Sequence, residues 1–345
     1  MLQFDNRPYK VLVRCMTYNQ SIYILDALNG FVMQKTDFPY VCLVVDDAST
    51  DGAQEVIKGF LNRECSMDAA VYSEIEEADI VIARHKTNQN CTMAVYFLKK
   101  NLYGSVKKAE LIAPWRKNCK YAAICEGDDY WICPEKLQKQ VDFLENNKDY
   151  SMCCSEASVI SPNGELDWRR YECSKRVPPE DMILGGGLFV QTATLLYRED
   201  LIDGYPSFCR KCHVGDYPMK LWGALNGGLY YFREKMATYR FQSDGSWTAN
   251  SAKMSVESQL PKWKSEILML EGLNEYSGGI YANAFKNRIA SYIWVILKSH
   301  KPEWPEISSY FSDWIPYLTK RRRLVNFMMS HHMGWSYFLY VRLFQ

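Results

Sequence analysis

Three apolar, β-branched runs in the first 125 residues each stop at a cluster of polar side chains, and this pattern constrains the fold more than any other feature of the chain. Tyr9 to Met16 leads into Thr17-Tyr18-Asn19, Val41 to Val45 into Asp46-Asp47, and Tyr121 to Cys125 into Glu126, Asp128 and Asp129. A shorter run, Ile80 to Ala83, lies between the second and third. The segments between them carry apolar residues at helical spacing: Ile22, Leu25, Leu28 and Val32, then Val56, Ile57 and Phe60 behind the capping residues Ser49, Thr50 and Asp51. Strand and helix in alternation predict an α/β fold with a mostly parallel sheet, in which ligands bind beyond the carboxyl ends of the strands. All three polar clusters fall at such ends.

The third cluster carries the most chemistry. Carboxylates gathered at one sheet edge raise one another's pKa or share a cation, and hard oxygen ligands suit Mg²⁺ or Mn²⁺ rather than zinc. The plain alternative is an acidic turn that caps the next helix, which Pro134 opens and which presents Leu137, Val141 and Leu144 on one face.

Composition narrows the partners. Lys and Arg (41) balance Asp and Glu (40) across 345 residues, so no global field marks nucleic acid as the main partner. The amino terminus lacks the pattern of a secretory signal, and the apolar run Ile293 to Leu297 is too short to span a bilayer, so a cytoplasmic protein is expected. The 12 cysteines sit mostly in apolar stretches, as reduced thiols do. Cys209-Arg-Lys-Cys212-His213 spells a haem-attachment pattern with nothing around it to complete a haem or zinc site, and reads as a loop with two free thiols. Asn90-Cys91-Thr92 matches a glycosylation acceptor by chance.

Past Tyr150 the pattern loosens. Met152 to Ile160 reads as a strand, Pro162-Asn163-Gly164 as a turn, and Gly185-Gly186-Gly187 as a loop before the apolar run Leu188 to Tyr197. Leu229 to Tyr231 and Ala237 to Phe241 read as two further strands. From about Ser255 the character is long-helical, with Trp263, Ile267 and Leu270, then Ile289, Ile293 and Ile296, at helical spacing.

The runs Val11 to Asn19, Leu28 to Gln34, Val44 to Asp51, Cys125 to Trp131 and Pro134 to Gln140, and more weakly Gly215-Asp216 to Phe241, together resemble the nucleotide-sugar domain of family 2 glycosyltransferases. The resemblance spans about the first 240 residues and rests on several ordered motifs. It implies a GT-A fold, Rossmann-like with helices flanking the sheet, over residues 1–250 (a donor half to about 135, an acceptor half from 136), with a helical region at 251–345. It implies inverting transfer of a sugar from a nucleoside diphosphate, a UDP-sugar favoured, to the hydroxyl of a glycan or lipid-linked acceptor in surface polysaccharide synthesis.

Carried over residue by residue, the resemblance puts Thr17, Tyr18, Asn19, Asp46, Asp47 and Asp128 around the nucleotide, and Asp128 with Asp129 on a Mn²⁺ or Mg²⁺ ion. Glu126 stands where an Asp is usual, and reaches the metal through water or stays behind its ligands. Asp216 takes the place of the base, although Gly215 precedes it where the family has an acid; the same residue also reads as a helix cap, and the two roles are compatible. Arg240, Gln242 and Ser246 fall toward the phosphates, with Gln242 where a His is usual, and Gln191 and Thr192 fall on the acceptor side. Lys320-Arg321-Arg322-Arg323, with Phe327, Met328, Trp335, Phe338 and Leu339, reads as a basic and aromatic surface for peripheral contact with the inner face of the membrane, or as an ordinary solvated face. Two other classes fit the residues less well. A nucleotidyltransferase making nucleotide-sugars wants a Gly-rich phosphate loop, which Met16 to Gln20 does not offer, and a catalytically silent nucleotide-sugar binder should lack Asp128, Asp129 or Asp216.

Overall fold

The computed structural model describes residues 8–103, 105, 107–243 and 254–331, with backbone alone at 107–109. The chain divides into two compact units, the first made of residues 1–177, 190–204 and 226–251, the second of 178–189, 205–225 and 252–345.

The first unit is built on one mixed sheet, whose twelve strands among the described residues are β1 (Val11–Thr17), β2 (Tyr40–Asp46), β3 (Val71–Glu74), β4 (Ala78–Arg84), β5 (Cys91–Leu98), β6 (Tyr121–Ile124), β7 (Tyr130–Trp131), β8 (Met152–Ser161), β9 (Gly164–Leu166), β10 (Lys175–Val177), β11 (Leu196–Arg198) and β12 (Leu229–Arg240). They run in the order β10-β12-β8-β11-β6-β1-β2-β5-β4-β3, with β7 paired to β12 and β9 to β8. The centre β6-β1-β2-β5 is parallel, as is β8 with β12, and antiparallel strands close both flanks. The mostly parallel central sheet expected from the strand and helix alternation is present, and α1 (Ile24–Val32), α2 (Ala53–Glu64), α3 (Lys107–Arg116) and α4 (Lys136–Asn146) belong to the same unit.

Every residue of β2 is buried, which is why it reads as a continuous apolar run. The core beneath it joins Val13 and Cys15 of β1 to Leu28 and Phe31 of α1, Ile57 and Phe60 of α2, and Leu137 and Val141 of α4. Burying one such side chain contributes about 2 kcal/mol, so the helical stripes seen in the sequence are the faces that hold the helices to the sheet.

Several elements differ from expectation. Strand β5 has no counterpart among the expected strands, although it pairs with both β2 and β4 and is buried along its whole length. The two strands expected at Leu229 to Tyr231 and Ala237 to Phe241 are one strand, β12, irregular against β8 between Phe232 and Ala237, where charged residues interrupt the apolar pattern. The run Leu188 to Tyr197 gives a 3₁₀ turn at Thr192–Thr194 and only the short β11.

The second unit is helical: α5 (Pro179–Gly185), α6 (Ser207–Arg210), α7 (Asp216–Leu225), α8 (Val256–Tyr276), α9 (Ala282–Ser299), α10 (Trp304–Tyr310) and α11 (Lys320–Ser330). Its buried stripe includes Trp263, Ile267 and Leu270 on α8 and Ile289, Ile293 and Ile296 on α9. Trp304 Nε1 donates to Asn326 Oδ1 at 2.8 Å, tying α10 to α11. All twelve cysteines are free and only Cys173 is exposed. Among the described residues no helix is long and apolar enough to cross a membrane.

Candidate active site

The loops that follow β1 and β2 are laced together by backbone groups that would otherwise lack partners. Asp47 N donates to Thr17 O at 2.9 Å, extending the ladder one step past the strands. Asn19 N donates to Ser49 Oγ at 2.9 Å, Thr50 N to Asn19 Oδ1 at 2.8 Å, and Ser21 N to Asp51 Oδ2 at 2.8 Å. Asn19 and Ala48 both have positive φ, of 52° and 60°. Asn tolerates that region, whereas for Ala it costs on the order of 1 kcal/mol, which the lacing must offset.

Asp46 is wholly buried, and its Oδ1 accepts from Ser49 N at 3.0 Å and Gln54 Nε2 at 2.7 Å. Its Oδ2 is buried with no hydrogen-bond partner among the described residues. Asp47 turns the other way, accepting at Oδ1 from Leu102 N at 2.7 Å, while Asn101 Nδ2 donates to its carbonyl oxygen at 3.2 Å. The segment after β5 thereby joins the two loops. Thr17 is buried, and Tyr18 is 44% exposed beside it.

The acidic turn lies against the same strand ends. Glu126 Oε2 accepts from Met16 N at 3.2 Å, so this side chain bends back to the sheet edge. Gly127 N donates to Met16 O at 2.9 Å, and a Cβ on Gly127 would stand 2.6 Å from both Thr17 Oγ1 and Gln20 Oε1. Only glycine permits that approach. Ser243 Oγ donates to Asp128 Oδ2 at 3.0 Å, and burial raises the Asp128 carboxyl above its ordinary value. Asp129 accepts at Oδ1 from Arg240 N at 2.9 Å; its carboxyl is pushed well up, first by burial, then by the charge of Asp128 beside it, with Glu126 adding to the effect.

Arg240, expected toward the phosphates, spends its fork within the protein. Nη1 donates to Asp128 O at 2.7 Å, Nη2 to the Asp26 carboxylate on α1, and the guanidinium lies 4.9 Å from the ring centre of Tyr23 and 4.5 Å from that of Tyr130. Gln242 has a φ of 59°, and Ser246 lies outside the described residues. Behind the turn, Trp131 Nε1 donates to Ala193 O at 2.8 Å, and the buried Lys136 ammonium sits 4.4 Å over the Trp131 ring while donating to Gln140 Oε1 at 2.7 Å. Burial pushes Lys136 down to about 8. Gln191 is buried and its carbonyl accepts from Thr194 N and Oγ1, so Gln191 and the half-buried Thr192 belong to a turn fixed from below.

The structure thus brings Thr17, Asn19, Asp46, Asp47, Asp128 and Asp129 to one set of strand ends, and adds Gln20, Tyr23, Asp26 and Ser243, which the sequence reading did not single out. Gln20 sits three residues past Thr17 and donor and acceptor geometry alone reveals its part; Ser243 is 115 positions from Asp128, a pairing that no local pattern encodes.

Within the second unit, Asp216 is the first residue of α7, and Lys220 Nζ donates to its Oδ2 at 2.7 Å. His213, three residues earlier, is bonded through its backbone N to Ser265 Oγ at 3.0 Å, and burial pushes its imidazole down to about 4.

No family model matches the chain. An uncharacterized protein of Mycobacterium tuberculosis is 29% identical over 233 residues, which cover 67% of this chain and 59% of that protein. The chain thus spans under two thirds of the length of that relative. An uncharacterized glycosyltransferase of Methanocaldococcus jannaschii is 26% identical over 220 residues, 60% of this chain and 66% of that one. Among solved structures, S. aureus TarS 1–349 in complex with UDP-GlcNAc shares the fold with a TM-score of 0.58 at 15% identity, over 91% of this chain and 82% of that chain. The same TarS fragment with UDP aligns at 0.58 and 14% identity, over 93% and 86%. The architecture is therefore the mixed α/β fold of these neighbours, a large mostly parallel central sheet flanked by helices.

Proposed function

We propose that this chain is an inverting, metal-assisted glycosyltransferase that moves a sugar from a nucleoside diphosphate to the hydroxyl of a glycan or lipid-linked acceptor. The observation that carries the proposal is the pair Asp128 and Asp129, a half-buried and a buried carboxylate side by side whose pKa values are raised, held at the same carboxyl ends of parallel strands as Asp46 and Asp47. The similarity to a glycosyltransferase of Methanocaldococcus jannaschii supports the class, and the fold neighbour solved with UDP and UDP-GlcNAc makes a UDP-sugar the favoured donor.

The donor set fits a hard divalent cation, Mn²⁺ or Mg²⁺: both groups are carboxylates, and a positive charge would offset the burial and the neighbouring Asp128 charge that raise Asp129. Among the described residues no three His, Cys, Asp or Glu side chains converge on one point, so Asp128 and Asp129 would hold the ion together with diphosphate oxygens and water. The bound ion supplies neutralisation of the charge that the diphosphate gains as it leaves. Glu126, bonded to Met16 N, supports the turn from behind.

The chain's own residues do the rest. Asp46 and Asp47 offer carboxylate oxygens to the base N–H and ribose hydroxyls, Tyr18 offers an aromatic face at the rim, and Asn19 and Thr17 shape the floor. Asp216 takes the proton of the acceptor hydroxyl as its oxygen bonds to the anomeric carbon and the bond to the diphosphate breaks on the opposite face. Arg240 holds the acidic turn in place, and Gln191 and Thr192 face the acceptor. Action at the cytoplasmic face of the membrane accords with α11, where Lys320, Arg323, Leu324 and Phe327 are exposed together; Trp335, Phe338 and Leu339 lie outside the described residues.

UDP release from UDP-GlcNAc with Mn²⁺ tests the proposal. Asp216→Asn should bind donor as the parent does and lose about 100-fold or more in turnover. Unchanged turnover in that variant would defeat the assignment.

A further inference from the structure

Lys220 is a lysine with almost no exposed surface, 1% of its side chain, set one helical turn after Asp216 on α7. Its ammonium donates to Asp216 Oδ2 at 2.7 Å and to the carbonyl oxygen of Gly187 at 2.9 Å. A buried ammonium without acceptors costs several kcal/mol, so these two contacts hold the lysine and, reciprocally, fix the Asp216 carboxylate, whose side chain remains 38% exposed. The loop that carries Gly187 also meets a second cation. Gly186 has a φ of 72°, and a Cβ there would stand 2.6 Å from the Arg288 guanidinium, so this glycine lets α9 lie against the loop. Arg288 pairs with the buried Glu266 of α8 at 3.4 Å, and Tyr217 donates to Ile183 O at 3.0 Å, fastening α7 to α5.

We infer that Lys220 is a positioning residue for the reaction: it orients the Asp216 carboxylate, pairs with its charge, and ties it to the Gly185–Gly187 loop, so that the helical region acts on turnover through Arg288, the loop and Lys220. The inference rests on Asp216 being the base. Lys220 is a cation bonded to Asp216; among the other ionisable groups that act on it are His213 and Cys212 before the helix, Tyr205 and, from α8, Glu266, which Arg288 offsets. Removing the ammonium takes away a positive charge 2.7 Å from the carboxylate and so disfavours its charged form.

The test compares wild type, Lys220→Met, Lys220→Gln and Asp216→Asn in UDP release from UDP-GlcNAc with Mn²⁺ and water as acceptor, across pH. The glutamine keeps a hydrogen-bond donor without the charge, and serves if the methionine variant does not fold. The expected result is a silent Asp216→Asn, Lys220 variants reduced in kcat by about 10-fold with donor KM unchanged, and an acid limb of the pH profile moved up by about one unit. A lysine with a purely structural part would lower the melting temperature and leave that limb where it was, which overturns the inference while Asp216→Asn stays silent. Turnover retained in Asp216→Asn, or no UDP release by wild type, removes the base assignment and the inference with it.

Discussion

Arg240 reaches from the last position of β12 to donate its Nη1 to the carbonyl oxygen of Asp128 at 2.7 Å. The contact joins a strand end 112 residues away to the middle of the acidic turn, and the same arginine steadies Asp129 through its backbone and Asp26 through its other nitrogen. A turn that concentrates carboxylates needs such a clamp, because repulsion between them would otherwise open it.

Arg240→Ala removes the clamp and leaves the Tyr23 and Tyr130 faces bare. Urea unfolding should register a loss of about 2 kcal/mol, reduced from the value for a fully buried pair because Asp26 is half exposed. Lysine at this position should restore little, since it lacks the planar fork that serves several partners at once.

Gly127→Ala places a methyl group 2.6 Å from Thr17 Oγ1 and Gln20 Oε1. Overpacking of this kind costs about 2 kcal/mol, and here the strain falls on the residue between Glu126 and Asp128. Differential scanning calorimetry should show a lowered melting temperature, and UDP release should fall more steeply than stability alone explains.

The sequence made the strand ends and their polar clusters readable because apolar runs and acidic stops are local signals, and Val11, Val41 and Tyr121 each sit in a run that is buried in the sheet. It hid β5, whose run Cys91 to Leu98 has no strand-bounding Gly or Pro and begins in a segment that also spells a glycosylation acceptor. It also hid the supports of the site. Asp128 meets Ser243, Asp47 meets Leu102, and Trp131 meets Ala193 across 115, 55 and 62 positions, and such pairings are fixed by the sheet order rather than by any nearby pattern. For Arg240 the sequence suggested phosphates, and its bonds to Asp128 and Asp26 were not legible, because a guanidinium serves a phosphate and a carbonyl oxygen equally well.

Lys136 gives a pH signature that depends on folding. Its pKa falls from 10.5 to about 8 on burial, so between those values the unfolded chain keeps a proton that the folded chain has lost, and the lysine's contribution to stability rises with pH across that window. Relative to Lys136→Met, measured by urea unfolding, wild type should gain about 2 kcal/mol between pH 7.5 and pH 10. A difference that stays flat with pH would show that Lys136 keeps an ordinary pKa.

Asp129→Ala tests whether the acidic pair holds a nucleotide-sugar through a divalent cation. The most direct measurement is the melting temperature of wild type and Asp129→Ala with UDP-, GDP-, CMP- and dTDP-sugars, each in Mn²⁺ and in chelator, since a ligand of the folded state stabilises it by mass action. The account predicts that a UDP-sugar raises the melting temperature of wild type in Mn²⁺, that chelator abolishes the rise, and that Asp129→Ala does not show it. A rise of equal size in the variant, or none in wild type with any of the four nucleotides, would contradict it.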